Sequence, residues 1–167
     1  MPGAEFLERY NGESLDDLIA MAEAYRIDSL VLAMEAALQA KQEGGLALSR
    51  EERVVLAIEG LEREVNNGGY HQFFFNSSRV YAAEVEEVLR LIGCHDHADI
   101  ARRAVAALGV RGVITQEAIE EALDSGGEEL VDVLGELNSE YYACQEPIAD
   151  RLFAFVSANR ARISLAG

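Results

Sequence analysis

The chain has 167 residues, half of them hydrophobic, which is the size and composition of an ordinary globular domain with its own core. Thirty acidic and fourteen basic side chains give a formal net charge of −16, which argues against direct binding to nucleic acid or to a membrane and favours a basic partner. No apolar run is long enough to span a bilayer, and the first residues lack the features of a secretory signal, so we expect a cytoplasmic protein with reduced cysteines.

Helical periodicity covers nearly the whole chain, and no segment alternates with the two-residue period of a strand. The pattern predicts an all-α fold, a single-domain bundle of about eight to nine helices. The first helix is expected over residues 14–25 with Ser14 as its N-cap, and the second over residues 29–42 with Asp28 as its N-cap. We interpret residues 1–48 as an N-terminal helical arm and residues 49–167 as the core of the same domain.

The third predicted helix has the clearest start. Ser49 and Glu52 have the spacing of a capping box, and apolar residues follow at helical intervals until the Asn-Asn-Gly-Gly run at 66–69, which is expected to end the helix. A short aromatic segment over 70–75 then precedes a helix over 78–92. Further helices are expected over 97–108, with Asp96 as N-cap, and over 115–123, 127–143 and 147–162.

Acidic residues are concentrated late in the chain, since residues 114–146 contain ten acidic and no basic side chains. Nine of them recur at helical spacing in two rows. The first row is Glu117, Glu120, Glu121, Asp124 and Glu128, if one helix extends that far, and the second is Glu129, Asp132, Glu136 and Glu140. The second row is expected to lie opposite a buried side formed by Leu130, Leu134, Leu137 and Tyr141. Such rows destabilise a helix slightly, so either partner binding or solubility must favour them.

The most distinctive segment is NNGGYHQFFFNSS, residues 66–78, in which four aromatic residues occupy six consecutive positions. A structural explanation places Tyr70, Phe73 and Phe74 in the core at a turn between helices. The functional alternative is a small-ligand or enzyme site around Tyr70, His71 and Gln72, with His95 or His97 nearby. Because the segment contains no nucleophile and no paired carboxylates, we expect no catalytic residues and no enzyme activity.

A second small cluster, Cys94-His95-Asp96-His97, contains three types of metal ligand in four residues. A structural zinc site needs a fourth ligand, usually from a second cluster, and neither the CxxC nor the HxxxH spacing is present. The cluster follows Gly93, as expected for a turn between two helices. The sequence therefore predicts neither a metal site nor a cofactor here.

The aromatic segment resembles the hallmark of a bacterial domain family whose named representative is a DNA-mimic protein. The hallmark reads Asn-Gly-Gly-aromatic-x-Gln-Phe-Phe-x-Asn and is matched by Asn67, Gly68, Gly69, Tyr70, Gln72, Phe73, Phe74 and Asn76. The resemblance extends from about residue 50 to about residue 161. It implies an all-helical domain that can form a homodimer, in which the hallmark residues have structural roles.

For the DNA-mimic member, the resemblance implies a carboxylate surface that occupies the DNA-binding face of a transcription factor. We therefore predict an acidic protein-binding module whose partner is a basic DNA-binding protein. The nine acidic residues between 117 and 140 are its predicted contact surface. An alternative with the same electrostatics is an immunity-type inhibitor of a basic toxin.

Overall fold

The structure, a computed structural model, describes residues 3–166 and is all-α, as the sequence predicts. Within this range there are seven α-helices, fewer than the eight to nine expected, and three short 3-10 helices over Met21–Glu23, Ser77–Tyr81 and Arg160–Arg162. The α-helices are α1 (Leu15–Ala20), α2 (Ile27–Glu43), α3 (Arg50–Phe75), α4 (Val85–Leu91), α5 (His95–Ala107), α6 (Gln116–Ala143) and α7 (Ile148–Ala158). None of the described helices has both the length and the apolar character needed to cross a membrane.

The helix count differs because α3 and α6 each consist of two helical segments that meet at a non-helical glycine. The helices expected over 115–123 and 127–143 are the two parts of α6, which is non-helical only at Gly127 (φ 58°, ψ −156°). In α3 the first helical segment ends at the Asn-Asn-Gly-Gly run, as the sequence predicts: Gly69 is non-helical (φ 78°, ψ −175°), and a second segment follows as far as Phe75. The helix expected over 78–92 is instead a 3-10 turn followed by α4.

The chain forms two compact units. One contains the residues up to 59 together with those from 147 onward, and the other contains residues 60–146. In the first unit α2 packs against α1 and α7. Helix α2 begins at Ile27, so Arg26 rather than the expected Asp28 occupies the N-cap position. Asp28 lies within the first turn and pairs with Arg26.

The capping box predicted at the start of α3 is present in the first unit. The Ser49 hydroxyl accepts a hydrogen bond from the Glu52 amide at 3.1 Å, and the Glu52 carboxylate accepts one from the Ser49 amide at 3.0 Å. The buried carboxylate also accepts hydrogen bonds from the Lys41 ammonium and the Ser164 amide. Burial alone would raise the pKa of Glu52, but these bonds more than offset it, and its pKa is lowered.

In the second unit, α5 packs against α4 and α6. Tyr70, Phe73 and Phe74 are fully buried, as their expected place in the core requires. The break at Gly69 brings the Tyr70 amide to the Asn138 side chain of α6, which accepts its hydrogen bond at 2.8 Å. The Asn138 side chain thus supplies an acceptor for the backbone N–H that begins the second segment of α3.

Candidate functional site

The nine predicted contact residues are all exposed on α6. The helix begins with Thr115 as N-cap, whose hydroxyl accepts a hydrogen bond from the Ala118 amide at 3.1 Å. The expected buried side of the second row is confirmed, since Leu130, Leu134, Leu137 and Tyr141 are all buried. We call the nine exposed side chains the α6 carboxylates.

The break at Gly127 changes the membership of the two rows. Glu128 would continue the first row only in one uninterrupted helix, and because it follows the non-helical residue it belongs to the second segment of α6. The first segment then carries four acidic residues within an arc of about 100° around the helix axis, opposite the buried Ile119. The second segment carries five within an arc of about 120°.

Few basic groups compensate the α6 carboxylates. In the described range, Glu140 pairs with Arg103 at 2.8 Å and Glu120 lies 3.9 Å from Arg79, whereas the other seven form no ion pair. The Arg103–Glu140 pair is about half exposed on both sides, where water weakens such contacts. Most of the negative charge of α6 is therefore available to a partner.

Tyr70, His71 and Gln72, the proposed ligand-binding residues, do not converge on one pocket. The Tyr70 ring is fully buried and its hydroxyl has no hydrogen-bond partner among the described residues, and burial, together with the charge of Glu62, raises its pKa. His71 is exposed and stacks on Phe75, with 6.5 Å between ring centroids.

Gln72 is engaged by a buried carboxylate rather than directed toward a cavity. Its side-chain amide donates to Glu64 Oε2 at 2.7 Å, and the Asn76 amide donates to the same oxygen at 2.9 Å. Both amides belong to the hallmark, and Glu64 is buried near the end of the first part of α3. The three residues therefore fix the path of the chain around Gly69.

Asp96 is not the N-cap of α5, contrary to expectation, because a distant carboxylate supplies the cap. The helix begins at His95, and Cys94 at the N-cap position makes no side-chain capping bond. Glu146 accepts hydrogen bonds from the amides of Asp96 at 3.3 Å and of His97 at 2.7 Å. It lies 50 residues beyond Asp96 in the chain, so no local pattern indicates this contact.

The same carboxylate belongs to a three-residue cluster that sequence spacing did not reveal. The ring Nδ1 of the buried His97 lies 2.8 Å from Glu146 Oε1 and 3.3 Å from Cys144 Sγ, and Sγ lies 3.6 Å from Oε1. Burial alone would raise the pKa of Glu146, but the hydrogen bonds from His97 and Asp96 lower it overall. Burial raises the pKa of the Cys144 thiol, as does the neighbouring Glu146 charge. Cys144 forms no disulfide.

A family model described as DMP19-like protein, where DMP19 stands for DNA mimic protein 19, matches residues 46–159. No curated protein and no solved structure matches the chain. The match covers more than half of the chain and includes the hallmark segment, Gly69 and the whole of α6. The chain therefore belongs to the DMP19-like protein family.

Proposed function

We propose that this protein is a DNA mimic that binds the DNA-contacting surface of a basic DNA-binding protein, such as a transcription factor, through the α6 carboxylates. The observation that carries the proposal is the exposure of all nine side chains, seven of which form no ion pair in the described range. Membership of the DMP19-like family supports the same class of activity.

The charge spacing along α6 is close to that of a nucleic acid strand. With a rise of about 1.5 Å per residue, Glu117 to Asp124 carry four carboxylates over about 10 Å of axis, or one per about 3.5 Å. Glu128 to Glu140 carry five over about 18 Å, or one per about 4.5 Å. One strand of duplex DNA carries one phosphate per about 3.4 Å of axis. A lysine- and arginine-rich surface that binds phosphates would therefore find a similar density of acceptors on α6.

The rest of the molecule reinforces this attraction at long range. A net charge of −16 on 167 residues speeds the approach of a basic protein and repels nucleic acid, so the chain competes with DNA without binding it. Because such attraction is screened by salt, the complex should dissociate as ionic strength rises.

The test is a competition for a purified DNA-binding protein. Cell proteins that bind heparin are passed over the immobilised chain at low salt, eluted with a salt gradient and identified. The captured protein is then purified and bound to a labelled duplex containing its binding sequence. The wild-type chain is expected to displace the duplex at a concentration close to the dissociation constant of the complex between the chain and the captured protein.

Charge reversal locates the contact surface. Changing Glu128, Glu129, Asp132 and Glu136 to Lys alters four carboxylates without a described ion pair, and takes the net charge from −16 to −8 because each reversal adds two charges. At about 0.5 kcal/mol per exposed contact, losing four weakens binding by about 2 kcal/mol, or about 30-fold, before any repulsion is added.

The matched control reverses four exposed acidic residues of the other unit, Glu5, Glu8, Glu23 and Glu43, which gives the same net charge. This control is expected to bind the captured protein within a few-fold of wild type. Equal losses in both variants would show that net charge alone drives binding, and undiminished binding of the α6 variant would remove α6 from the interface.

A further inference from the structure

We infer that His97, Cys144 and Glu146 form a zinc-binding site, an inference that does not depend on the proposed DNA mimicry. His97 lies in the first turn of α5, and Cys144 and Glu146 lie in the segment between α6 and α7. Imidazole nitrogen, thiolate sulfur and carboxylate oxygen are the three donor types that proteins use for Zn²⁺. The donor atoms Nδ1, Sγ and Oε1 all lie within 4.8 Å of one another.

The triangle formed by these three donor atoms is close to one face of a tetrahedral zinc coordination site. Its edges are 2.8 Å, 3.3 Å and 3.6 Å, whereas Zn–N and Zn–O distances of about 2.0–2.1 Å and a Zn–S distance of about 2.3 Å require edges of about 3.3–3.6 Å. A point about 0.9 Å out of the plane is already about 2.1 Å from each atom. The edge between His97 and Glu146 has to widen by about 0.5 Å, and the edge between His97 and Cys144 by about 0.2 Å.

Without a metal ion, the Glu146 carboxylate can accept hydrogen bonds from both of the other side chains. If His97 Nδ1 carries a proton, it donates to Glu146 Oε1 at 2.8 Å, and the Cys144 thiol donates to the same oxygen over a longer distance of 3.6 Å. If Nδ1 is unprotonated, it can accept from the thiol but then faces the Glu146 oxygen at 2.8 Å with two lone pairs opposed. A divalent cation engages all three atoms, and one thiolate and one carboxylate neutralise its charge.

The surroundings also suit a metal ligand set. The His97 and Glu146 side chains are 3% and 14% exposed, so water competes little with the donors. The backbone amides of Asp96 and His97 already hold the Glu146 carboxylate in place, as outer hydrogen bonds do for metal-binding carboxylates. Cys144 also lines an open surface depression of about 430 Å³, through which water can reach the sulfur side of the site. With three protein ligands, this is an open site rather than a closed structural one.

The test uses Co²⁺ as a spectroscopic substitute for Zn²⁺ on the full-length chain, free of any affinity tag and stripped with a chelator. A thiolate bound to Co²⁺ gives a charge-transfer absorption that carboxylates do not give, so ions held by the α6 carboxylates do not contribute. Wild type is expected to develop this absorption with saturation at one equivalent of Co²⁺ and to lose it when Zn²⁺ is added.

Matched variants assign the ligands. Cys144→Ser is expected to abolish the absorption, and Glu146→Gln, which retains an oxygen to cap α5, is expected to weaken Co²⁺ binding at least tenfold. The controls Cys94→Ser and His95→Gln change the neighbouring residues of the same types and are expected to behave as wild type. Circular dichroism checks that every variant is folded, and Zn²⁺ should raise the melting temperature of wild type but not of Cys144→Ser.

Two results would overturn the assignment. One is the absence of a thiolate absorption from wild type at a several-fold excess of Co²⁺. The other is an absorption that persists in Cys144→Ser and disappears in Cys94→Ser, which would move the metal to the other thiol.

Discussion

Gly69 offers the sharpest test of how the hallmark segment holds the second unit together. Its backbone, at φ 78° and ψ −175°, lies in a region that essentially only glycine occupies. A Cβ atom at this position would lie 2.2 Å from Asn138 Nδ2. Gly69→Ala therefore imposes a strained backbone and also displaces the side chain that accepts the Tyr70 hydrogen bond.

The cost can be worked out from these two effects. Backbone strain of this kind costs about 1–3 kcal/mol. Loss of the partner of the Tyr70 amide adds about 1–3 kcal/mol, since a shielded N–H group is left unsatisfied. We therefore expect Gly69→Ala to lower the free energy of unfolding by about 2–6 kcal/mol.

Gly127 provides a matched control, because it occupies nearly the same backbone region at φ 58° and ψ −156° but has no atom within 4 Å of a Cβ position. Gly127→Ala should cost only the strain, about 1–3 kcal/mol. Urea denaturation followed by circular dichroism measures both variants. In an Asn138→Ala background, where the obstructing side chain is absent, Gly69→Ala should cost no more than Gly127→Ala.

Equal destabilisation by Gly69→Ala and Gly127→Ala in the wild-type background would refute this reasoning. It would mean that the Asn138 contact adds nothing beyond the backbone conformation. A Gly69→Ala cost that stays undiminished in the Asn138→Ala background would lead to the same conclusion.

Three further expectations concern single side chains. Because the pKa of Glu52 is lowered in the folded protein, its ionised form stabilises the fold above the unfolded pKa of about 4.3. The melting temperature of Glu52→Gln should therefore lie below that of wild type near pH 7, and the difference should shrink toward pH 3. Tyr70→Phe removes a buried hydroxyl without a described partner and should leave stability in urea unchanged or raise it by up to about 1 kcal/mol; a clear loss would reveal a partner for the hydroxyl. Arg103→Ala breaks only an exposed ion pair with Glu140 and should change the free energy of unfolding by less than about 0.5 kcal/mol, with a larger loss indicating a packing role.

Local patterns predicted what depends on neighbours along the chain. Ser49 and Glu52 are three residues apart, and both hydrogen bonds of their capping box are present. Leu130 and Leu134 recur with the helical period, and both are buried on the side of α6 opposite its acidic residues. The all-α fold was predicted from the same pattern, because apolar residues repeated every 3.6 positions form a single side that a helix can bury.

Contacts between distant segments explain what the sequence did not predict. The Asn-Asn-Gly-Gly run does end the first segment of α3, but the acceptor for the Tyr70 amide after the break is the Asn138 side chain, 68 residues further along the chain. The cap of α5 comes from Glu146, so the local candidate Asp96 is not needed. Glycine at 127 permits the break in α6 without requiring it, so the sequence leaves open whether Glu128 continues the first row.

Lys41 is the one lysine in the sequence, and its ammonium is held by Glu52 and by the Ser164 carbonyl with only 11% of the side chain exposed. Carbodiimide chemistry joins a carboxylate directly to an accessible amine, and this protein offers thirty acidic side chains but almost no lysine amine of its own. Zero-length coupling should therefore produce covalent adducts with lysines of a bound partner in preference to internal links. Mass spectrometry of such adducts would map the contacted carboxylates one by one.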